Sequence, residues 1–294
     1  MKKISNLLEY IIFIIFAFLF RFLPFKISVS IGGFLGNLIY GLDRKHRKIA
    51  FNNLKESFKE KNNQEIKDIV KGLYRNIGKS FIEFIFLPRL NKEKLLKLIK
   101  IEGKENLEKA ISKGKGVIVI VSHFGNWELV GSTCSLFGPS SAVAFPQSNK
   151  LTDKLINKYR KSTGLKILYT GGAIKELIKS LKRKEIIGLL SDQDAGGEGV
   201  FVEFFGRPAS THRGPVVLAL KTEAPVVLTF LIREKNNTHR LVIEKELDLV
   251  KTGNLEKDVK INTTKWVKIL EDYVRKYPEQ WFWVHRRWKT KIEA

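Results

Sequence analysis

His123 and Glu128, in the run His123-Phe124-Gly125-Asn126-Trp127-Glu128, have the types and spacing for proton transfer. A carboxylate beside an imidazole fixes its tautomer and orientation, leaving the other ring nitrogen to take a proton from an attacking hydroxyl. On one unbroken helix, five residues at about 100° each would leave the two side chains about 140° apart, so a break has to lie between them. Gly125 and Asn126 supply that break. Asn126 is a good N-cap for a helix running from Trp127 to about Leu136, with Glu128 in its first turn. Before the break, Val117 to Val121 are five consecutive β-branched residues and predict a strand buried on both faces. His123 is therefore expected at a strand's carboxyl end, where open α/β sheets bind their ligands. The plain alternative is a structural or solvated His beside a Glu.

Other residues could also carry chemistry. Asp192 and Asp194 follow the apolar run Ile186 to Leu190 and precede Gly196, Gly197 and Gly199. Two carboxylates there could join His123 around a divalent cation, but no second nearby His and no ligand-rich spacing supports it, so no metal is expected. The polar stretch Arg207 to Pro215 enters a helix at Val216 to Thr222, with Ser210 or Thr211 expected to cap it. The helix's free backbone donors, with Arg207 and Arg213, would then face an anion such as a phosphate. Solvated arginines are the alternative. At the C-terminus, Trp281 to Trp288 mixes rings and cations, which suits a membrane interface or stacked bases. Because Trp281, Trp283 and His285 alternate, this stretch also reads as a strand with one packed face.

The elements that must hold these residues fall into three segments. Residues 1–42 contain Leu7 to Phe25, almost wholly apolar but interrupted by Glu9 and Arg21, and then Ile27 to Leu42, where Gly32, Gly33 and Gly36 are spaced for close packing. They read as a membrane anchor: a span, a shallow hairpin or an interfacial helix. The sequence after Phe20 lacks the small residues of a signal-peptide cleavage site. Arg21, Lys26, Arg44, Lys45, Arg47 and Lys48 outweigh Lys2 and Lys3, which places the body of the protein in the cytoplasm. Residues 43–100 read as helices, Arg44 to Lys59 and Gln64 to Phe86, stopped by Pro88. From residue 101 to 294, strand and helix patterns alternate, giving an α/β fold with a mixed β-sheet flanked by helices. Lys and Arg number 53 against 30 Asp and Glu, a formal charge of +23, so the partners are polyanionic. No nucleic-acid motif is present, and the apolar N-terminus favours anionic headgroups or an acidic protein. The single Cys134 excludes an intramolecular disulfide and reads as a buried small hydrophobe.

His123 to Glu128 resembles the His-x-x-x-x-Asp/Glu signature of glycerolipid-type acyltransferases, and in particular the bacterial lipid A biosynthesis acyltransferases. Ser191-Asp192-Gln193-Asp194, then Phe204-Phe205-Gly206-Arg207-Pro208-Ala209 with Thr211 and Gly214, and Pro278-Glu279-Gln280-Trp281 with Trp283, Arg286 and Arg287, resemble that family in its order. The resemblance covers nearly the whole chain. It implies a glycerolipid acyltransferase-like fold and an O-acyltransferase of the bacterial inner membrane, facing the cytoplasm. The reaction implied is transfer of a fatty acyl chain from an acyl carrier protein thioester to a hydroxyl of a lipid A precursor. His123 would be the general base and Glu128 its orienting partner, with Asn126, Arg160, Asp192, Gln193, Arg207, Thr211 and Arg213 binding substrate. Neither cofactor nor metal is implied. The family's Tyr-Arg-Pro is replaced here by Ala144-Phe145-Pro146, so one headgroup arginine is absent. Rival readings are a glycerophospholipid or glycolipid acyltransferase using acyl-coenzyme A, a metal-dependent hydrolase using His123, Asp192 and Asp194, and a non-catalytic membrane- or nucleic-acid-binding protein.

Overall fold

In a computed structural model of the protein, two apolar helices, α1 (Lys2–Arg21) and α2 (Phe25–Leu42), open the chain and part at Pro24. The structure describes residues 2–170 and 173–292; Met1 and residues 293–294, the outer ends of the 1–42 and 101–294 segments, lie outside the described residues. Both helices are long and apolar enough to cross a membrane. Only 11% of the residues in the apolar stretch of α1 are buried, and Leu8, Ile12, Phe18, Leu19 and Phe22 are exposed. α2 packs against the long helix α4 (Asn63–Phe86), which follows α3 (Arg44–Ser57). The contact needs glycine: a Cβ on Gly36 would lie 2.2 Å from the Tyr74 carbonyl oxygen, and one on Gly78 2.1 Å from that of Gly32. Asn62 and Glu65 form a reciprocal capping box at the start of α4, and Asp43 caps α3.

The helical segment ends at α5 (Lys92–Leu98), and β1 (Ile99–Glu102) follows directly. Sequence periodicity missed β1, which has only four residues. α6 (Lys104–Ser112) leads to β2 (Val117–Val121), α7 (Trp127–Cys134), β3 (Ser140–Ala144), α8 (Lys150–Lys161) and β4 (Leu165–Tyr169). α9 (Ala173–Lys182) and β5 (Ile186–Leu190) come next. A hairpin of β6 (Val200–Phe204) and β7 (Arg207–Thr211) then projects from the main sheet, turning through Phe205 and Gly206, both at positive φ. That hairpin stands where a polar loop was expected. α10 (Gly214–Thr222), β8 (Val226–Arg233), β9 (His239–Ile243) and α11 (Leu255–Lys276) complete the fold. The C-terminal aromatic stretch is irregular rather than a strand, with an isolated bridge between Trp281 and Phe124.

The strand order is β1-β9-β8-β2-β5-β3-β4, parallel except for the β8–β9 pair. β2 is central and buried throughout, so its side chains feed two cores by simple alternation. Ile118 and Ile120 join α3, α9, α10 and α11 on one face; Val117, Val119 and Val121 join α6, α7 and α8 on the other. β3 pairs with β5 only over Ser140 to Ala142. Beyond Ala142 the two strands part at the carboxyl edge of the sheet, beside His123.

Gly36→Ala should destabilise the protein by about 1 to 3 kcal/mol, because the helices must separate to admit one methyl group. Thermal unfolding in detergent is the measurement; an unchanged midpoint would mean that the α2–α4 contact is not held in solution.

Candidate active site

His123 stands two residues past the end of β2, and the chain there is clamped by its own C-terminus. Gly125 has φ +59° and donates its N–H to the Gln280 carbonyl at 2.7 Å, while the Phe282 N–H donates to the His123 carbonyl at 3.0 Å. Any side chain at Gly125 would strike Leu231, with a Cβ only 1.7 Å from that carbonyl oxygen. The backbone thus turns sharply, and Asn126 begins α7 by accepting the Glu128 N–H at 3.2 Å.

The carboxylate that holds the imidazole is Asp192. Its Oδ1 lies 2.7 Å from His123 Nδ1, and its Oδ2 accepts the His123 backbone N–H at 2.9 Å and the Trp281 indole N–H at 2.7 Å. Asp192 is 1% exposed. Burial alone would raise its pKa, but the His123 charge and the hydrogen bonds from His123 and Trp281 outweigh it and hold the carboxyl below its ordinary value. An ionised carboxylate only accepts, so Nδ1 carries a proton, and in the neutral imidazole Nε2 is the nitrogen with the free lone pair. Among the described residues Nε2 has no hydrogen-bond partner, and the side chain is 18% exposed.

Glu128 does not orient His123, contrary to expectation. It forms a two-pronged pair with Arg160, Oε2 accepting from Nε at 2.8 Å and Oε1 from Nη2 at 2.6 Å. Burial would lower the Arg160 pKa, but Glu128 keeps it raised. The first turn of α7 faces α8 across the sheet edge, and that direction brings Glu128 to Arg160.

The remaining candidates divide. Gln193 lines the larger of two cavities at His123. Asn126 is 1% exposed and donates its amide to Glu83 at 2.7 Å, so its polar atoms serve the helix start. Arg207 is sandwiched between α3 and the C-terminus: Nη2 donates to Ser57 at 2.9 Å, and the guanidinium sits 3.5 Å from the Trp288 ring centroid. Thr211 does not cap α10; Arg213 is the N-cap, and Thr211 donates to the Ala209 carbonyl and accepts from Arg287. Arg213 pairs with the exposed Glu256 of α11. Asp194 accepts from Thr290, through N–H at 3.2 Å and Oγ1 at 2.8 Å, so its carboxylate and that of Asp192 serve different partners. Among the described residues no group of three or more His, Cys, Asp and Glu side chains converges as metal ligands would.

Two residues that sequence reasoning missed stabilise the site from behind. Trp281 was named in an aromatic run and in a family-like motif but given no role at the site, yet it donates to Asp192 from 89 residues away. Glu83 on α4 is fully buried and accepts from Asn126, from Arg233 at 2.9 Å and from His239 Nε2 at 3.0 Å. Burial would raise the Glu83 pKa, but the charges of His239 and Arg233 hold it far below the ordinary carboxyl value. A Glu in an amphipathic helix gives no sign of this in sequence.

Two cavities meet at His123, and both are lined by His123, Trp127, Glu128 and Arg160. The smaller, about 260 Å³, opens toward Phe13 of α1 and Phe81 and Phe84 of α4. The larger, about 680 Å³, spreads across the gap between β3 and β5. Val130 and Cys134 line it on one side, and Leu177, Val217 and Leu218 on the other. Burial pushes the Cys134 thiol up to about 12, so it is an inert wall residue.

A family model of bacterial lipid A biosynthesis acyltransferases matches residues 1–290. The chain belongs to that family. It is 26% identical over 272 residues to the lipid A biosynthesis palmitoleoyltransferase of Escherichia coli (strain K12), covering 92% of this chain and 87% of that protein. It is also 26% identical over 277 residues to the lipid A biosynthesis lauroyltransferase of the same strain, covering 92% and 88%. A 1-acyl-sn-glycerophosphate acyltransferase, PlsC, from Thermotoga maritima superposes with a TM-score of 0.35 at 18% identity, over 92% of this chain and 98% of that one. The protein is thus an O-acyltransferase.

Asp192→Asn should lower the transfer rate by about a hundredfold or more. Asn has one acceptor oxygen, and the two N–H donors at Oδ2 would claim it, turning the amide NH₂ toward Nδ1 and moving the imidazole proton to Nε2. Glu128→Gln leaves the imidazole contacts intact and should cost less. Rates measured on both variants at equal folded fraction decide it; a larger loss in Glu128→Gln would restore Glu128 as the orienting residue.

Proposed function

We propose that this enzyme transfers a fatty acyl chain from an acyl carrier protein thioester to a hydroxyl of a lipid A precursor, at the cytoplasmic face of the bacterial inner membrane. The observation that carries the reading is the free Nε2 of His123 at the junction of the two cavities. The acceptor comes from the names of the relatives, which act in lipid A biosynthesis. The charge of +23 favours an acidic carrier, and the exposed apolar faces of α1 and α2 favour attachment to lipid.

In this mechanism the acyl chain lies in the larger cavity, whose volume is that of an ordinary ligand site. The acceptor enters past α1 through the smaller one. His123 Nε2 takes the proton of the acceptor hydroxyl as its oxygen attacks the thioester carbonyl, and Asp192 stabilises the imidazolium. Arg160 and the amino end of α7 put positive potential where the oxyanion develops. Collapse of the tetrahedral intermediate breaks the carbon–sulfur bond, and the imidazolium returns its proton to the leaving thiolate. No covalent enzyme intermediate is required.

His123→Ala should reduce transfer by roughly a hundred to ten-thousand fold with folding and membrane attachment intact. The assay uses acyl-acyl carrier protein and a lipid A precursor; a rate within about tenfold of wild type would end the mechanism. Cavity shape gives a separate test. A Cβ added at Gly188 would meet only ordinary contacts at 3.8 to 4.0 Å, so a larger residue can be accommodated on β5 and would project into the cavity. Gly188→Val should shift donor preference toward shorter chains, read by competition between acyl-acyl carrier proteins of different length. An unchanged preference would remove the acyl chain from this cavity.

A further inference from the structure

A third cavity, about 590 Å³, lies on the outer side of the same three helices, α1, α4 and α8, that wall the smaller active-site cavity. Arg21, Arg89 and Lys158 line it, with Phe22, Phe86 and Tyr159. Only one layer of rings separates the two spaces. Tyr159 packs edge-on against Phe13 at 5.9 Å and stacks on Phe84 at 5.7 Å, and both phenylalanines line the active-site cavity. On α8, Ile156 and Arg160 face inward while Lys158, Tyr159 and Ser162 face the outer cavity.

Three cations line this one concave space. Arg160, two residues on from Lys158, is held by Glu128, but among the described residues none of Arg21, Arg89 and Lys158 has a carboxylate in ion-pair reach. Arg89 donates to the Arg21 carbonyl at 2.9 Å and lies 4.8 Å from the Phe86 ring centroid, which pins the end of α1 to the turn after α4. Three like charges lining one concave space give it a positive potential that favours an anion. The cavity also stands where the apolar surface of α1 ends, with Phe22 70% exposed beside it. Charges at that level meet headgroups, and the adjoining rings meet hydrocarbon.

We propose that this cavity binds the anionic headgroup, phosphate or carboxylate, of a lipid. Two lipids can supply it: the acceptor itself, whose anionic group would be held here while its hydroxyl reaches His123, or a phospholipid of the bilayer, which would fix α1 against α8. The first source rests on the acyltransfer reading above; the second does not.

The test uses full-length protein with Lys158→Ala, Arg21→Ala and the double variant, both side chains being exposed, and the Lys109→Ala/Lys268→Ala double variant on α6 and α11 as a charge-matched control. Transfer is measured with a phosphorylated lipid A precursor and with the same lipid after phosphatase treatment. Binding is measured by flotation with phosphatidylcholine vesicles containing or lacking phosphatidylglycerol. If the acceptor is the occupant, the double variant raises KM for the phosphorylated acceptor by about tenfold or more, with kcat and the KM for the dephosphorylated lipid little changed. If a bilayer lipid is the occupant, KM is unmoved and the preference of the Arg21→Ala/Lys158→Ala variant for phosphatidylglycerol vesicles falls below that of the Lys109→Ala/Lys268→Ala control. Unchanged KM together with unchanged vesicle preference overturns the proposal. A wild-type protein that transfers no acyl chain to either lipid refutes the acyltransfer reading instead, and the flotation arm still decides the anion site.

Discussion

The buried Asp192 carboxylate is the constraint on which the site depends. Its two oxygens accept from the imidazole of His123, from the backbone of the same residue and from the indole of Trp281, so one carboxylate joins three distant stretches of the chain, its own included. A carboxylate removed from water costs several kcal/mol unless charge and donors replace the lost hydration. Here every strong donor in reach is also a positioning contact, so the groups that offset the burial are the same ones that aim Nε2 outward. The C-terminal segment is therefore part of the active site: the chain beyond α11 returns to close the loop around His123 at Gly125, at the His123 carbonyl and at Asp192.

Behind that hub, Glu83 repeats the same physics one layer deeper. It ties α4 to β8 and β9 through Arg233 and His239, and to the start of α7 through Asn126. Such a cluster adds little net stability over an apolar core, because desolvation consumes much of the attraction. Its geometric consequence is larger. The helix that walls the smaller cavity, strands β8 and β9 and the turn that carries His123 are held in one register by directional bonds that apolar packing alone would not impose.

The parting of β3 from β5 gives the site its space. A sheet paired to its carboxyl edge would close the gap that Gly188 and the short β3–β5 ladder leave open. The Glu128–Arg160 pair sits at the mouth common to both cavities. Largely buried, it keeps a fixed cation on the wall of both cavities without leaving that cation unpaired.

Local sequence determined much of the frame. Five β-branched residues had to form a buried strand, Asn126 had to begin a helix, Asn62 and Pro88 bounded α4, and Gly32 and Gly36 signalled a close helix contact, because each depends on neighbours within a few residues. His123 was legible as a reactive residue for the same reason: strand end and helix start are local events. Its partner was not. Glu128 is five residues away and Asp192 is 69, and sequence proximity favours the nearer carboxylate; only the parallel pairing of β2 with β5 brings Asp192 beside His123 while the first turn of α7 carries Glu128 to Arg160. Arg207, Thr211 and Arg213 were likewise read as one polar loop, whereas the β6–β7 hairpin sends them to the C-terminal rings, to Arg287 and to Glu256. Which elements form is decided within a few residues, but which side chains meet is decided by strand order, and strand order is a property of the whole chain.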